Sequence, residues 1–373
     1  MPVNAQPLRI LILAVHHGST HIQIARVMEN ALRQQRPNAH IEIIDTLAHC
    51  RRLFRAYYNS FELPMKYWPG LWERIETQQY RGESTSPLWL FRWGAQPLFR
   101  FIETFAPGIV VATEVGLCEM AIMHKRETKA AYSLVGIGAL DFERPWAQPE
   151  VELFISSPGE VAAQLKSAGV AQDRIAECGM PVDPVFTPCA DKPGLRARLG
   201  LEREEPVLLI NFGGSGRMKP HQVVSQLRRV QQPFQVVFVA RRDEKLREEL
   251  LRITAGMPHV HILRWVDNMY EWMAAADVLV SRAGSCTVAE ALNCRLPILV
   301  FDAPPGSERR VCELVEKKWQ TGYWAKSADD IATRINQLLT DPQELSRLRQ
   351  NTAGHAFPRA AHDAAEAILK LCA

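Results

Sequence analysis

Apolar and polar positions along this chain form two successive series. Short apolar, β-rich runs lie at 8–15, 41–45, 109–113, 133–138 and 153–157, and stretches of helical period separate them. In one such stretch, 22–32, Ile22, Ala25, Met28 and Leu32 mark a single helix face. The second series has runs at 207–211, 235–240, 260–264, 278–281 and 298–302, with a helical pattern at 285–294. Runs this short and continuous read as strands buried on both faces. Strands that alternate with helices pair in parallel through right-handed crossovers. The pattern predicts an α/β chain made of two doubly wound halves.

Composition narrows the picture. The chain has 373 residues, 47% hydrophobic and 23% charged, with a net charge of +3. A sizeable core is expected; a disordered chain, a collagen-like chain and a disulfide miniprotein are excluded. The charge bias is too slight to argue for nucleic acid, and no nucleic-acid partner is expected. None of the eight cysteines forms a CxxC pair, which argues against a zinc ribbon or a redox pair and reads as reduced, mostly buried thiols. The run 8–15 is short for a secretory signal and leads into His16-His17-Gly18. No apolar stretch is long enough to span a membrane, so the expected compartment is the cytoplasm. Pro184, Pro188 and Pro193, followed by the charged run 196–205, mark the join. The expected domains are 1–188 and 189–357, with a helical tail, 358–373, that can return to the first half.

Ligands of open α/β sheets bind beyond the carboxyl ends of the strands, and the candidate motifs sit there. Gly213-Gly214-Ser215-Gly216 follows the run 207–211. It suits either backbone contact with a phosphate or a tight turn. It has neither GxGxxG spacing nor a GKS/T ending, so no dinucleotide cofactor is expected. Ser281-Arg282-Ala283-Gly284-Ser285-Cys286-Thr287 passes from a strand end into a helix start, and Glu290 follows where a carboxylate can accept from a ribose diol or simply face solvent. Trp265-Val266-Asp267-Asn268-Met269 is a turn after a strand. Pro304-Pro305-Gly306-Ser307-Glu308-Arg309-Arg310 could meet sugar hydroxyls and phosphate, or be a solvated turn.

In the first half, His16, His17 and His21 surround Gly18-Ser19-Thr20 at a helix start. A histidine there suits base work or a packed cap. With no second ligand cluster in the sequence, no metal is expected. Asp141, in the loop after 133–138, is placed to act as a base or to pair with Arg144; Glu143 stands beside it. Residues 51–101 interleave aromatics, among them Trp68, Trp72, Trp89 and Trp93, with Arg51, Arg52, Arg55, Lys66, Arg74, Arg81, Arg92 and Arg100. That composition fits a membrane-associating segment at about 51–101, resting on anionic lipid, or an aromatic core between helices.

Taken in order, the glycine loop, WVDNM at 265–269, RAGSCTVAEAL at 282–292 and PPGSE at 304–308 resemble the nucleotide-sugar glycosyltransferases of the GT-B fold. More narrowly, the chain resembles the group that makes monogalactosyl- or monoglucosyl-diacylglycerol. The enzyme that adds N-acetylglucosamine in lipid II assembly is a more distant likeness. The stretch 149–186 also matches, and the resemblance covers nearly the whole chain. It implies two Rossmann-like domains facing across a cleft, and inverting transfer of a hexose from a UDP-sugar to a lipid such as diacylglycerol. It implies no metal or cofactor, and work at the inner face of the cell membrane as a peripheral protein. By match, Gly213–Gly216 and Ser285–Thr287 would cradle the pyrophosphate, with Arg282 and Gly284 among the nucleotide-sugar contacts. Val266, Asp267, Asn268 and Met269 would meet the uracil, Glu290 the ribose, and Ser307 and Glu308 the sugar. His21 and Asp141 would be catalytic. The chain departs from the family's pattern in three places. Gly18-Ser19-Thr20 stands for three glycines. Ala139 occupies the usual place of the catalytic aspartate relative to Trp146. The sugar loop lacks its glutamine and asparagine. Two other readings share these residues: a UDP-amino-sugar epimerase, and a non-catalytic sugar-nucleotide or lipid-binding protein.

Overall fold

The computed structural model describes residues 7–16, 20–60, 62–80, 87–138, 140–212, 219–303 and 306–372. The chain divides into two compact units, Met1–Val182 with Arg359–Ala373, and Asp183–Pro358. The division at Val182/Asp183 falls a few residues before the expected residue 188. Just past it, Phe186 is buried with its ring edge-on to Tyr270 at 6.5 Å.

In the first unit the strands are β1 (Arg9–Ala14), β2 (His40–Asp45), β3 (Ile109–Ala112), β4 (Ser133–Ile137), β5 (Leu153–Ile155) and β6 (Ile175–Ala176). Among the described residues they form one parallel six-stranded sheet in the order β2-β1-β3-β4-β5-β6. Central strands β1 and β3 are apolar and almost wholly buried, as strands covered on both faces must be. Helix α1 (Thr20–Gln35) buries Ile24, Ala25, Met28, Ala31 and Leu32. This stripe is shifted from the expected one, since Ile22 is only half-buried. Helices α2 (Arg52–Ser60), α3 (Glu62–Tyr67), α4 (Pro69–Tyr80), α5 (Leu88–Gly94) and α6 (Gln96–Phe105) fill the long β2–β3 connection. Then come α7 (Val115–Thr128) and α8 (Glu160–Ser167).

The second unit carries β7 (Val207–Asn211), β8 (Gln235–Val239), β9 (Val260–Leu263), β10 (Val278–Ser281), β11 (Ile298–Phe301) and β12 (Gly322–Ala325). Among the described residues they form a parallel sheet in the order β12-β11-β10-β7-β8-β9. Its helices are α9 (Lys192–Arg198), α10 (Pro220–Leu227), α11 (Glu244–Ile253), α12 (Met269–Ala275), α13 (Ser285–Asn293), α14 (Ser307–Glu313), α15 (Ala328–Thr340) and α16 (Pro342–Gly354). The last helix, α17 (Ala360–Leu369), belongs to the first unit and packs on α1.

Each sheet gains an edge strand that the apolar pattern did not mark. β6 is two residues long, and β12 (Gly-Tyr-Trp-Ala) is half-buried at its centre, so neither makes a continuous apolar run. The strand orders locate the ligand-binding points. Order reverses between β1 and β3 in the first sheet and between β7 and β10 in the second. Connections on either side of such a point leave toward opposite faces and open a crevice at the carboxyl ends.

Candidate active site

In the first unit, the crevice between the ends of β1 and β3 is bordered by His21 and Thr113. His21 sits half-buried in the first turn of α1, and its Nδ1 lies 2.7 Å from the Thr113 carbonyl oxygen. A carbonyl only accepts, so Nδ1 carries the proton and Nε2 keeps its lone pair. Thr113 is itself held: its N–H and its Oγ1–H both donate to the Leu13 carbonyl, at 3.2 and 3.1 Å. His16 turns elsewhere, placing Nδ1 3.3 Å from Asp45 Oδ2 at the end of β2. His17, Gly18 and Ser19 lie outside the described residues. Asp141 is half-buried beyond the end of β4, the strand next to β3, in a loop fixed by buried Leu140, Phe142 and Trp146. A Cβ on Gly136 would come 2.8 Å from Trp146, so this loop seats its indole against bare backbone. Ala139 lies outside the described residues.

Beside this point are groups that the sequence reading passed over. Glu114 caps α7, accepting Leu117 N–H at 3.1 Å, and Tyr58 Oη–H donates to the same carboxylate at 2.6 Å. Burial and then the charge of Glu114 push the Glu119 carboxyl up to about 7. The signal available was Thr113-Glu114 directly after an apolar run. Their partners, far away in sequence, gave none.

In the second unit, the crevice lies between the ends of β7 and β10, where Asn211 and Ser281 are paired and Ser281 Oγ–H donates to the Asn211 carbonyl at 3.1 Å. Gly213, Gly214, Ser215 and Gly216 follow β7 but lie outside the described residues. After β10 the chain turns through Gly284, which has no side chain with which to cap α13. The first turn of α13, at Ser285, Cys286 and Thr287, follows the carboxyl end of β10, a place that suits an anion. Glu290 lies on the same helix. Burial, then the charge of Asp183, push its carboxyl up to about 8. Arg282 is buried and forks onto Glu308: Nε donates to Oε2 at 3.2 Å, and Nη2 donates to Oε1. The pair joins the end of β10 to the start of α14 across β11. Ser307 and Glu308 follow Gly306, whose φ of 99° only glycine adopts without strain. Pro304 and Pro305 lie outside the described residues.

Val266–Met269 follow β9, at the sheet edge beyond β8. The loop braces itself: Trp265 Nε1–H donates to Asp267 at 2.8 Å, and Asn268 Nδ2–H donates to Glu271 at 2.6 Å. The Arg242 guanidinium covers the Trp265 ring at 4.6 Å.

The aromatic segment is divided between core and surface. Phe54, Phe91 and Phe99 are buried, whereas Trp68 is 60% exposed, Trp89 71% and Trp93 37%; Trp72 is half-buried. Among the described residues, the side chains grouped closely enough to share a cation are His362, Asp363 and Glu366, on α17. No helix among them is long and apolar enough to cross a membrane.

Comparison with known proteins places the chain. The family model described as monogalactosyldiacylglycerol (MGDG) synthase matches residues 21–182. The model described as glycosyl transferases group 1 matches residues 215–341. A processive diacylglycerol beta-glucosyltransferase from Staphylococcus saprophyticus is 20% identical, aligning 98% of this chain with 93% of its own length. Its counterpart from Bacillus cytotoxicus is 22% identical, over 97% of this chain and 93% of its own. Among solved structures, an Anabaena protein, HepE, in complex with UDP-glucose superposes with a TM-score of 0.56 at 15% identity, covering 98% of both chains. The UDP-GlcNAc 2-epimerase of Neisseria meningitidis superposes with a TM-score of 0.62 at 13% identity, over 97% of this chain and 99% of its own. These two structures share the fold of the two Rossmann-like halves.

Proposed function

We propose that this glycosyltransferase, whose first half matches the monogalactosyldiacylglycerol synthase model, is an inverting, metal-independent enzyme that moves a hexose from a UDP-sugar to diacylglycerol at a membrane surface. The second unit holds the donor. The start of α13, with residues 213–216, takes the pyrophosphate. Glu290 accepts the ribose hydroxyls, and Glu308, held by Arg282, meets the hexose. The first unit supplies the base. The acceptor oxygen attacks the anomeric carbon, the bond to the phosphate oxygen breaks, and the acceptor proton passes to the lone pair of His21 Nε2. Asp141, one strand over, is the alternative proton acceptor. The helix dipole and N–H groups of α13 take up charge developing on departing UDP. One displacement with one base inverts the carbon.

The observation that carries the lipid acceptor is the outer surface of α2–α5. Leu53 (74% exposed), Trp68 and Trp89 are exposed on this segment, as are Arg51, Arg52, Arg74 and Arg92. Indole rings favour the headgroup layer, and each cation near anionic lipid adds about 1 kcal/mol. An epimerase acting on a soluble sugar nucleotide has no use for such a face. The test is UDP release from a panel of UDP-sugars, with EDTA present, with and without anionic vesicles containing diacylglycerol. Release is expected only with vesicles. Release that needs no vesicles, or that EDTA abolishes, overturns the proposal. The double variant Trp68→Ala/Trp89→Ala is expected to bind these vesicles about tenfold more weakly in co-sedimentation, the loss of somewhat more than 1 kcal/mol of interfacial contact. Unchanged binding would remove this face from the acceptor side.

Glu290 also makes donor binding pH-dependent. Burial, then the charge of Asp183, push its carboxyl up to about 8, and ribose hydroxyls favour the charged form. UDP-glucose affinity is therefore expected to fall about tenfold for each pH unit below that value, with a proton released on binding. Calorimetry in two buffers of different ionisation enthalpy measures this. Glu290→Gln should flatten the pH dependence, and a flat wild-type profile would refute it.

A further inference from the structure

We infer that Tyr58 and Glu114 are positioning residues for His21, and that through them surface helix α2 sets the orientation of the catalytic imidazole. The inference rests on the reading of His21 as the base. The first turn of α7 has N–H groups that need acceptors. Glutamate is not among the residues usually chosen to cap a helix, yet Glu114 does so here, with φ −150° and ψ 150° and its carboxylate folded back onto Leu117 N–H. The Oε2 that accepts that N–H also accepts Tyr58 Oη–H at 2.6 Å. Tyr58 reaches it only because residue 116 is glycine. A Cβ there would lie 2.4 Å from Tyr58 Oη and 3.2 Å from Glu114 Oε2. Phe54 and Phe91 flank the phenol ring with centroids at 6.0 and 6.2 Å. Burial pushes its acidity far from neutrality, and the charges of Glu114, Glu119 and Glu143 add to this, so Tyr58 remains a donor at every working pH.

The peptide immediately before Glu114 carries the Thr113 carbonyl that receives His21 Nδ1–H. Its plane is fixed on one side by the two bonds from Thr113 to Leu13. On the other side it is fixed by the Glu114 cap. Removing the Tyr58 hydroxyl leaves one bond holding the Glu114 side chain instead of two. The carbonyl is then freer to tilt, and the imidazole loses the contact that keeps its lone pair on Nε2. Misplacement of a reacting group by an ångström costs up to about 100-fold in rate, so a partial loosening is expected to cost about tenfold. Tyr58 belongs to α2, the first helix of the segment that also carries exposed Trp68 and Trp89, and the chain of bonds runs from this helix to the base.

The test uses the full chain with the variants Tyr58→Phe, Gly116→Ala and Glu114→Gln. Two properties are read: the pH profile of UDP release with diacylglycerol vesicles, and the long-range proton–nitrogen spectrum of the His21 ring, which reports its tautomer. Wild type should show the proton on Nδ1. Tyr58→Phe and Gly116→Ala should each lower kcat about tenfold, leave KM for UDP-glucose within about twofold, shift the ascending limb of the pH profile and give mixed His21 tautomers. Combining them should cost no more than either alone. Glu114→Gln keeps an acceptor oxygen and should stay near wild type. A fully Nδ1-protonated His21 in folded Tyr58→Phe and Gly116→Ala overturns the inference, even if activity falls. A tautomer shift in those variants together with full activity of His21→Gln upholds the coupling and refutes His21 as the base.

Discussion

Replacing His21 with glutamine is expected to lower kcat by about 10²–10⁴-fold, the range for a lost general base, while UDP affinity stays unchanged. The expectation follows from one contact. A carbonyl acceptor 2.7 Å from Nδ1 leaves Nε2 as the basic nitrogen, at the carboxyl end of β1, where the first sheet reverses its order. Glutamine keeps a polar side chain but has no basic nitrogen. Nucleotide affinity belongs to the second unit and should not respond. Asp141→Asn is the paired measurement. If Asp141→Asn lowers kcat by that 10²–10⁴-fold while His21→Gln retains more than a tenth of the activity, the proton goes to Asp141 instead. If both variants remain fully active, neither is the base.

Asp277→Ala is expected to destabilise the second unit by about 3–5 kcal/mol, the usual cost of removing one partner from a buried ion pair. Asp277 lies just before β10, at the end of the sheet opposite the donor crevice. Its carboxylate receives Lys192 Nζ at 2.8 Å, Arg196, Arg349 and the Val207 backbone N–H at 2.8 Å. Alanine leaves Arg196 buried with its charge unanswered and the first N–H of β7 without its acceptor. For a unit of this size the unfolding temperature should fall by about 10 °C. A fall of less than about 2 °C would mean that water replaces the carboxylate without penalty. Burial alone would raise this group's pKa, but Lys192 and Arg196 outweigh it, and the folded value lies below the ordinary one. The sign follows. The contribution is complete above the unfolded pKa of about 4 and is lost as pH falls through the lower, folded value.

Much of the local structure of the proposed donor side was legible residue by residue. Gly284, Ser285, Thr287 and Glu290 sit on one helix start because a strand run, a small-residue turn and a helical pattern follow one another within a few positions. Local rules suffice for that. That Arg282 spends its fork on Glu308 was not legible, although both stood out. The contact spans 26 residues and depends on β11 lying between two particular connections. The same holds more strongly in the first unit. His21 was visible from its place after the first strand, but its acceptor at Thr113 lies 92 residues on, and the Tyr58–Glu114 contact spans 56.

The sequence by itself determined the class of fold, two wound α/β halves, because strand length, burial and period are local properties of the chain. It determined the order of the motifs, and with that the family resemblance. Only the tertiary structure decided strand order, and hence where each sheet reverses and which loops border a crevice. Only it divided the aromatic segment. In a stretch so rich in aromatics several helix faces are apolar, and what settled which rings were covered was the packing of Phe54, Phe91 and Phe99 into the core, with Trp68 and Trp89 left in solvent. Hydrogen bonds such as that of His21 come last, because they form between groups that nothing but the completed fold brings within 3 Å.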